Sequence, residues 1–97
     1  MRLIWATPAL TDRRKIYSRI GADNPKAALD LDELFERRSW QLSEHPMLGR
    51  VGRMAETREL VVHPNYLLIY EIDDETVWIL RVLHAAMKWP PKTKTPG

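Results

Sequence analysis

"TRELVVHPNYLLIYEIDDETVWILRVLH", residues 57–84, decides how this chain folds. Three runs rich in β-branched, leucine and aromatic residues are separated by two turn signals, Pro64-Asn65 and Asp73-Asp74-Glu75. Connections this short join antiparallel neighbours, so the stretch reads as a meander with strands over 58–63, 66–72 and 76–84. On the middle strand Tyr66, Leu68, Tyr70 and Ile72 share one face, and Leu67, Ile69 and Glu71 share the other, because successive side chains alternate. Both faces are largely apolar. Helices must cover one, and part of the other needs a second cover, which points to a partner surface.

Working outward, "MRLIWA" alternates weakly and predicts a first strand over 2–6. Thr7 offers an N-cap hydroxyl, and Pro8 takes the first helical position, where its missing N–H costs nothing. That helix runs to about Ile20. Leu10, Ile16, Tyr17 and Ile20 lie along one face, Asp12, Arg13, Arg14 and Lys15 mostly point out, and Gly21 is placed for a left-handed C-cap. Asn24-Pro25 repeats the cap signal. The second helix carries Ala27, Leu31, Leu34, Phe35, the aliphatic stem of Arg38 and Leu42 at helical spacing, with Trp40 at the flank. It ends near Glu44, since Pro46 disfavours helix at His45. The short link between the helices predicts an antiparallel hairpin. Residues 45–56, "HPMLGRVGRMAE", read as a loop by their proline, glycines and charges. "AAMKW" allows a short helical turn at most.

The expected fold is α+β: an N-terminal strand and a two-helix antiparallel hairpin packed on a three- to four-stranded antiparallel sheet. One domain is expected over 1–90, with a flexible tail at 91–97. At 97 residues the core is limited, which gives weight to the four tryptophans and the area each can bury. The chain has no cysteine, which excludes a disulfide framework and a thiolate nucleophile or metal ligand and fits a reducing cytoplasm. No secretory leader is visible, and no apolar run approaches the ~20 residues of a membrane helix. Three histidines scattered without ligand spacing predict no metal, and no cofactor motif is present. The formal charge of +2 is mild. Basic clusters at 12–15, 36–38 and 49–53 read first as solvated faces.

Taken in order, "IGADNPKAA", "EHPMLGR", "TRELVV", "YLLIYEI" and "ILRVLHAAMKWP" resemble the toxins of the RelE/ParE superfamily over roughly residues 2–90. The resemblance implies a compact, metal-independent toxin of a type II toxin–antitoxin module, neutralised by a cognate antitoxin protein. RelE-like members cut mRNA on the ribosome; ParE-like members inhibit DNA gyrase by binding. Ribosome-dependent mRNA cleavage is the leading expectation. Gyrase inhibition is the alternative, and an inactive member is a third.

Metal-free RNA cleavage by the 2′-hydroxyl needs a base, an acid and a fixed cation for the charged transition state. The resemblance assigns the cation to Arg58, whose planar fork can hold two phosphate oxygens. It assigns the acid to His84, since imidazole donates near neutral pH. Arg50, Arg53, Arg81 and Lys88 are candidates for the phosphate-binding rim. No residue matches a general base. The arrangement requires Arg58 and His84 to meet in one hollow on the sheet face opposite the helices. Without the resemblance, Arg58 reads as one half of a surface ion pair and His84 as a strand-end histidine bonded to backbone.

Overall fold

β4 (Tyr66–Asp73) lies at the middle of a five-stranded sheet, flanked by the strands that adjoin it in sequence, β3 (Arg58–His63) and β5 (Thr76–His84). The computed structural model describes residues 1–90, so the tail expected at 91–97 lies outside the described residues. The β4–β5 connection is tight: Asp73 pairs Thr76, and Asp74 takes φ 55°, a left-handed region that Asp tolerates better than most residues.

The remaining elements are β1 (Arg2–Trp5), α1 (Thr7–Gly21), α2 (Pro25–Glu44) and β2 (Arg50–Val51). The strand order is β1-β5-β4-β3-β2. β1 runs parallel to β5, and the other pairs are antiparallel. The helical hairpin carries the chain from one sheet edge to the other, which is why β1 and β2 sit at opposite edges. β2 falls inside the segment expected to be loop. Two residues carry no periodicity, and its pairing of Arg50 with Glu59 and Val51 with Arg58 arises only on assembly.

Helix boundaries follow the prolines more closely than the caps. Asn24 Oδ1 accepts the Ala27 N–H at 3.1 Å, a conventional N-cap for α2. At α1 the cap position is Ala6, with no side-chain bond, and Thr7 is already helical. Gly21 is likewise inside the helix, and Ala22 closes it in a right-handed conformation. The link turns at once into α2, with the Asp23 and Asn24 N–H groups both bonded to the Ile20 carbonyl, so a left-handed residue is not required.

Ala9 and Ile16 of α1 and Leu31, Phe35 and Leu42 of α2 pack on Leu60, Val62, Tyr66, Leu68, Tyr70, Val77, Ile79 and Val82. Full burial of each large apolar side chain stabilises by about 1.5–3 kcal/mol. Leu10 and Tyr17, expected on the inner face of α1, are 40% and 43% exposed. Arg13 lies between the helices instead, bonded to Asp32 and Glu36 with its guanidinium 4.5 Å from the Trp5 ring centroid. Burial opposes that charge, but the two carboxylates outweigh it and leave the Arg13 pKa raised.

Part of the opposite face is covered from within the chain, while Val61, paired with Leu67 on that face, is 52% exposed. Leu67, Ile69 and Leu83 are buried there against Leu80 and Trp89, the last contributed by the segment that follows β5. Among the described residues no helix is long and apolar enough to cross a membrane.

Candidate functional site

β4 carries the ruler for the expected site. Arg58 stands opposite Tyr70 and His84 stands opposite Tyr66, and both tyrosines face the helices. Directly opposed residues project to the same face, so Arg58 and His84 lie on the helix side of the sheet, not on the free side. They flank opposite ends of β4. Strand rise and spacing put their Cα atoms roughly 15 Å apart. The row between them is Leu60–Leu68–Val82, exposed by 6%, 0% and 3%. A closed piece of core therefore separates the expected cation from the expected acid, and the single hollow that was to hold both does not form.

Arg58 Nη1 donates to the Gly49 carbonyl at 2.8 Å. The same loop is tied by Tyr70, whose hydroxyl donates to the Pro46 carbonyl at 2.6 Å and accepts the Gly49 N–H at 2.9 Å. Burial, the largest influence, raises the Tyr70 pKa. Gly49 is required there, since a Cβ would stand 2.7 Å from the Tyr70 ring. The hollow beside Arg58 is walled by Val51, Glu56, Thr57, Glu71, Ile72 and Asp73. Three carboxylates on that wall oppose entry of a phosphate.

Three of the four rim candidates are held by carboxylates or lie away from His84. Glu59, 2% exposed, accepts from Arg50 Nη2 and from the Arg53 backbone N–H, Nε and Nη2, all at 3.0–3.1 Å. Burial alone would push the Glu59 pKa up. The bonds from Arg53 and Arg50 override it and lower it from 4.5 to about 2. Arg81 is bonded through Nε and Nη2 to Asp12 of α1 at 2.7 and 3.1 Å, and that bond raises its pKa. Asp12 also accepts the Val82 N–H at 2.9 Å. β1 pairs β5 only as far as Ile79, so this carboxylate supplies the acceptor that the missing strand would have provided. Lys88 is exposed and forms no ion pair among the described residues.

His84 does occupy a hollow, with companions that the sequence reading passed over. Asp12, Lys15, Ile16 and Arg19 of α1 face Tyr66, Val82, His84 and Met87 across it. Arg19 Nη2 donates to the Tyr66 hydroxyl at 2.7 Å, and the Tyr66 and His84 rings meet edge to face at 5.3 Å. His84 Nδ1 accepts the Ala86 N–H at 3.0 Å, so Nε2 is the nitrogen left to donate. His63 makes the same bond to Asn65 and lies on the far side of Tyr66, at 5.9 Å between ring centroids. The two strand-end histidines thus bracket one tyrosine in a row across β3, β4 and β5. The available signal was spacing: Lys15 and Arg19 are four apart on α1, on one side of the helix with Asp12 and Ile16.

The family model described as "ParE toxin of type II toxin-antitoxin system, parDE" matches residues 3–89. The chain belongs to this family. Membership places it among the RelE/ParE superfamily toxins of type II toxin–antitoxin systems and implies a cognate antitoxin. It is similar to Toxin RelE2 of Caulobacter vibrioides, 36% identical over 85 residues that cover 88% of this chain and 96% of that one. It is also similar to Putative toxin Y4kP of Sinorhizobium fredii, 37% identical over 90 residues, 92% of this chain and 93% of that one. Among solved structures, a chain of the chromosomal ParDE system from P. aeruginosa superposes with TM-score 0.77 at 20% identity, covering 87% of this chain and 95% of that one. The isolated E. coli RelE toxin superposes with TM-score 0.64 at 18% identity, covering 91% and 87%. At those identities the likeness to the two structures is one of fold.

Proposed function

We propose that this member of the ParE toxin family arrests growth by binding its target, DNA gyrase, and not by cutting mRNA. The supporting observation is the separation of Arg58 from His84 by the buried Leu60–Leu68–Val82 row. Cleavage by the 2′-hydroxyl needs acid, base and cation around one phosphorus. The Arg58 hollow offers a guanidinium among carboxylates and no imidazole. The His84 hollow offers an imidazole and cations, but its one carboxylate, Asp12, is already held by Arg81 and the Val82 N–H. Binding needs no such convergence. The outer face of α1, where Leu10, Arg14 and Tyr17 stand exposed beside one another, is the surface we assign to the target.

The test runs both activities on one preparation. The purified protein should inhibit supercoiling by purified gyrase in a concentration-dependent way. Primer extension on message from induced cells should show no new 5′ ends on translated mRNA, and DNA synthesis should stop before protein synthesis. New cleavage sites in message with gyrase unaffected would overturn the proposal.

One observation favours the mRNA reading: Lys15 and Arg19 stand beside His84, so a cation is present there even though Arg58 is not. That reading moves the transition-state cation to Arg19, and the primer-extension arm decides it.

A further inference from the structure

Four arginines already have an anion. Arg13 has Asp32 and Glu36, Arg50 and Arg53 have Glu59, and Arg81 has Asp12. Arg19 is different. Among the described residues its bonded partner is the neutral Tyr66 hydroxyl, which engages one of five N–H donors. Lys15, one turn earlier on α1, forms no ion pair among the described residues. Both border the hollow at the end of β5, which His84 also lines with its Nδ1 engaged by the Ala86 N–H.

We propose that this hollow is a carboxylate-receiving site: an Asp or Glu side chain, carried on an apolar stretch of the antitoxin, seats among Lys15, Arg19 and His84. The proposal rests on the family's implied antitoxin and is independent of which target the toxin attacks. Charge complementarity supplies the first argument, since Lys15 and Arg19 both line the hollow and the Asp12 carboxylate beside them is already bonded to Arg81. The second is shape. The hollow is about 140 Å³, below the ~300 Å³ at which pockets begin to enclose a nucleotide-sized ligand. The third is the lining. Ile16, Val82 and Met87 make an apolar wall, and Tyr66, 5% exposed, offers no ring face for a base to stack on. A phosphodiester would meet cations without a platform for its base. An acidic side chain flanked by leucine-like neighbours would match both the charged rim and the apolar wall.

The experiment is a methyl- and imidazole-detected NMR titration of the full chain. Its probes are three: the capped tripeptide acetyl-Leu-Glu-Leu-amide, its Gln counterpart, and the dinucleotide thymidylyl-thymidine. The Glu peptide should shift the Met87 methyl and the His84 ring with a saturating curve. The Gln peptide and the dinucleotide should each bind about tenfold more weakly, the loss expected for one charge-assisted bond. Arg19→Gln should weaken the Glu peptide by about the same factor while the buried Leu68 and Ile79 methyl signals stay in place, which shows the fold intact. The proposal is overturned by equal or tighter dinucleotide binding, by an unchanged affinity in Arg19→Gln, or by no shift with the Glu peptide. Gyrase inhibition measured on the same preparation reports separately on the preceding proposal, so either can fail alone.

Discussion

Arg58 and His84 look across the same face of the sheet but are kept apart by Leu68, whose neighbours Leu60 and Val82 complete a row buried to the last few per cent. The relationship is set by register. Arg58 is paired with Tyr70 and His84 with Tyr66, four residues apart on β4. The resemblance predicts that Arg58→Ala abolishes toxicity with the fold intact; the binding proposal predicts otherwise. Arg58→Ala should lose one bond to the Gly49 carbonyl and about 1 kcal/mol of stability, and growth arrest should persist. Induction of the variant in cells, with a urea melt of the purified protein, checks both halves.

Glu59 makes folding sensitive to acid. Its pKa is lowered from 4.5 to about 2 in the folded chain. The unfolded chain therefore binds the proton first as pH falls, and the stabilisation is complete above about pH 4.5 and lost as pH drops toward 2. The loss should be on the order of 2–3 kcal/mol, discounted because Arg50 and Arg53 are themselves half exposed. Denaturant midpoints at pH 7, 4 and 2.5 measure it. Glu59→Gln should be less stable at pH 7 and should lose less stability than the parent chain between pH 4 and 2.5.

Asp12 substitutes for a strand. Asp12→Ala strands the Val82 N–H and the Arg81 guanidinium together and should cost about 2–3 kcal/mol. Asp12→Asn keeps an acceptor for Val82 and should cost less. Hydrogen exchange of the Val82 amide, faster in the alanine variant than in the asparagine one, separates the two contributions.

Tyr70 ties the 46–49 loop to the core. Tyr70→Phe keeps the buried ring but removes the acceptor of the Gly49 N–H and the donor to the Pro46 carbonyl. A loss of about 1–3 kcal/mol is expected by thermal melting, with the core otherwise unchanged. Gly49→Ala should be at least as damaging, because its Cβ would also press 2.8 Å from the Glu59 carbonyl.

The meander was legible because strands 58–63, 66–73 and 76–84 carry their own period and their own turns. The helical hairpin was legible because proline and asparagine signal helix starts locally, and Asn24 does cap α2. Interior-facing residues of β4 followed from alternation alone. The parallel pairing of β1 with β5 and the existence of β2 were not legible, since each depends on what the hairpin brings to a sheet edge. Leu10 and Tyr17 were misplaced because helical spacing gives a stripe without saying which side meets the sheet.

The sequence by itself determined the helical hairpin, the meander, the family and the presence of many cations, because these are properties of neighbours along the chain. Only the tertiary structure decided which cations are free. Arg50, Arg53 and Arg81 found carboxylates six to 69 residues away, while Lys15 and Arg19 arrived beside His84 with no ion pair among the described residues. A charge's role depends on its compensation through space, and Coulomb attraction at 3 Å pays no regard to distance along the backbone.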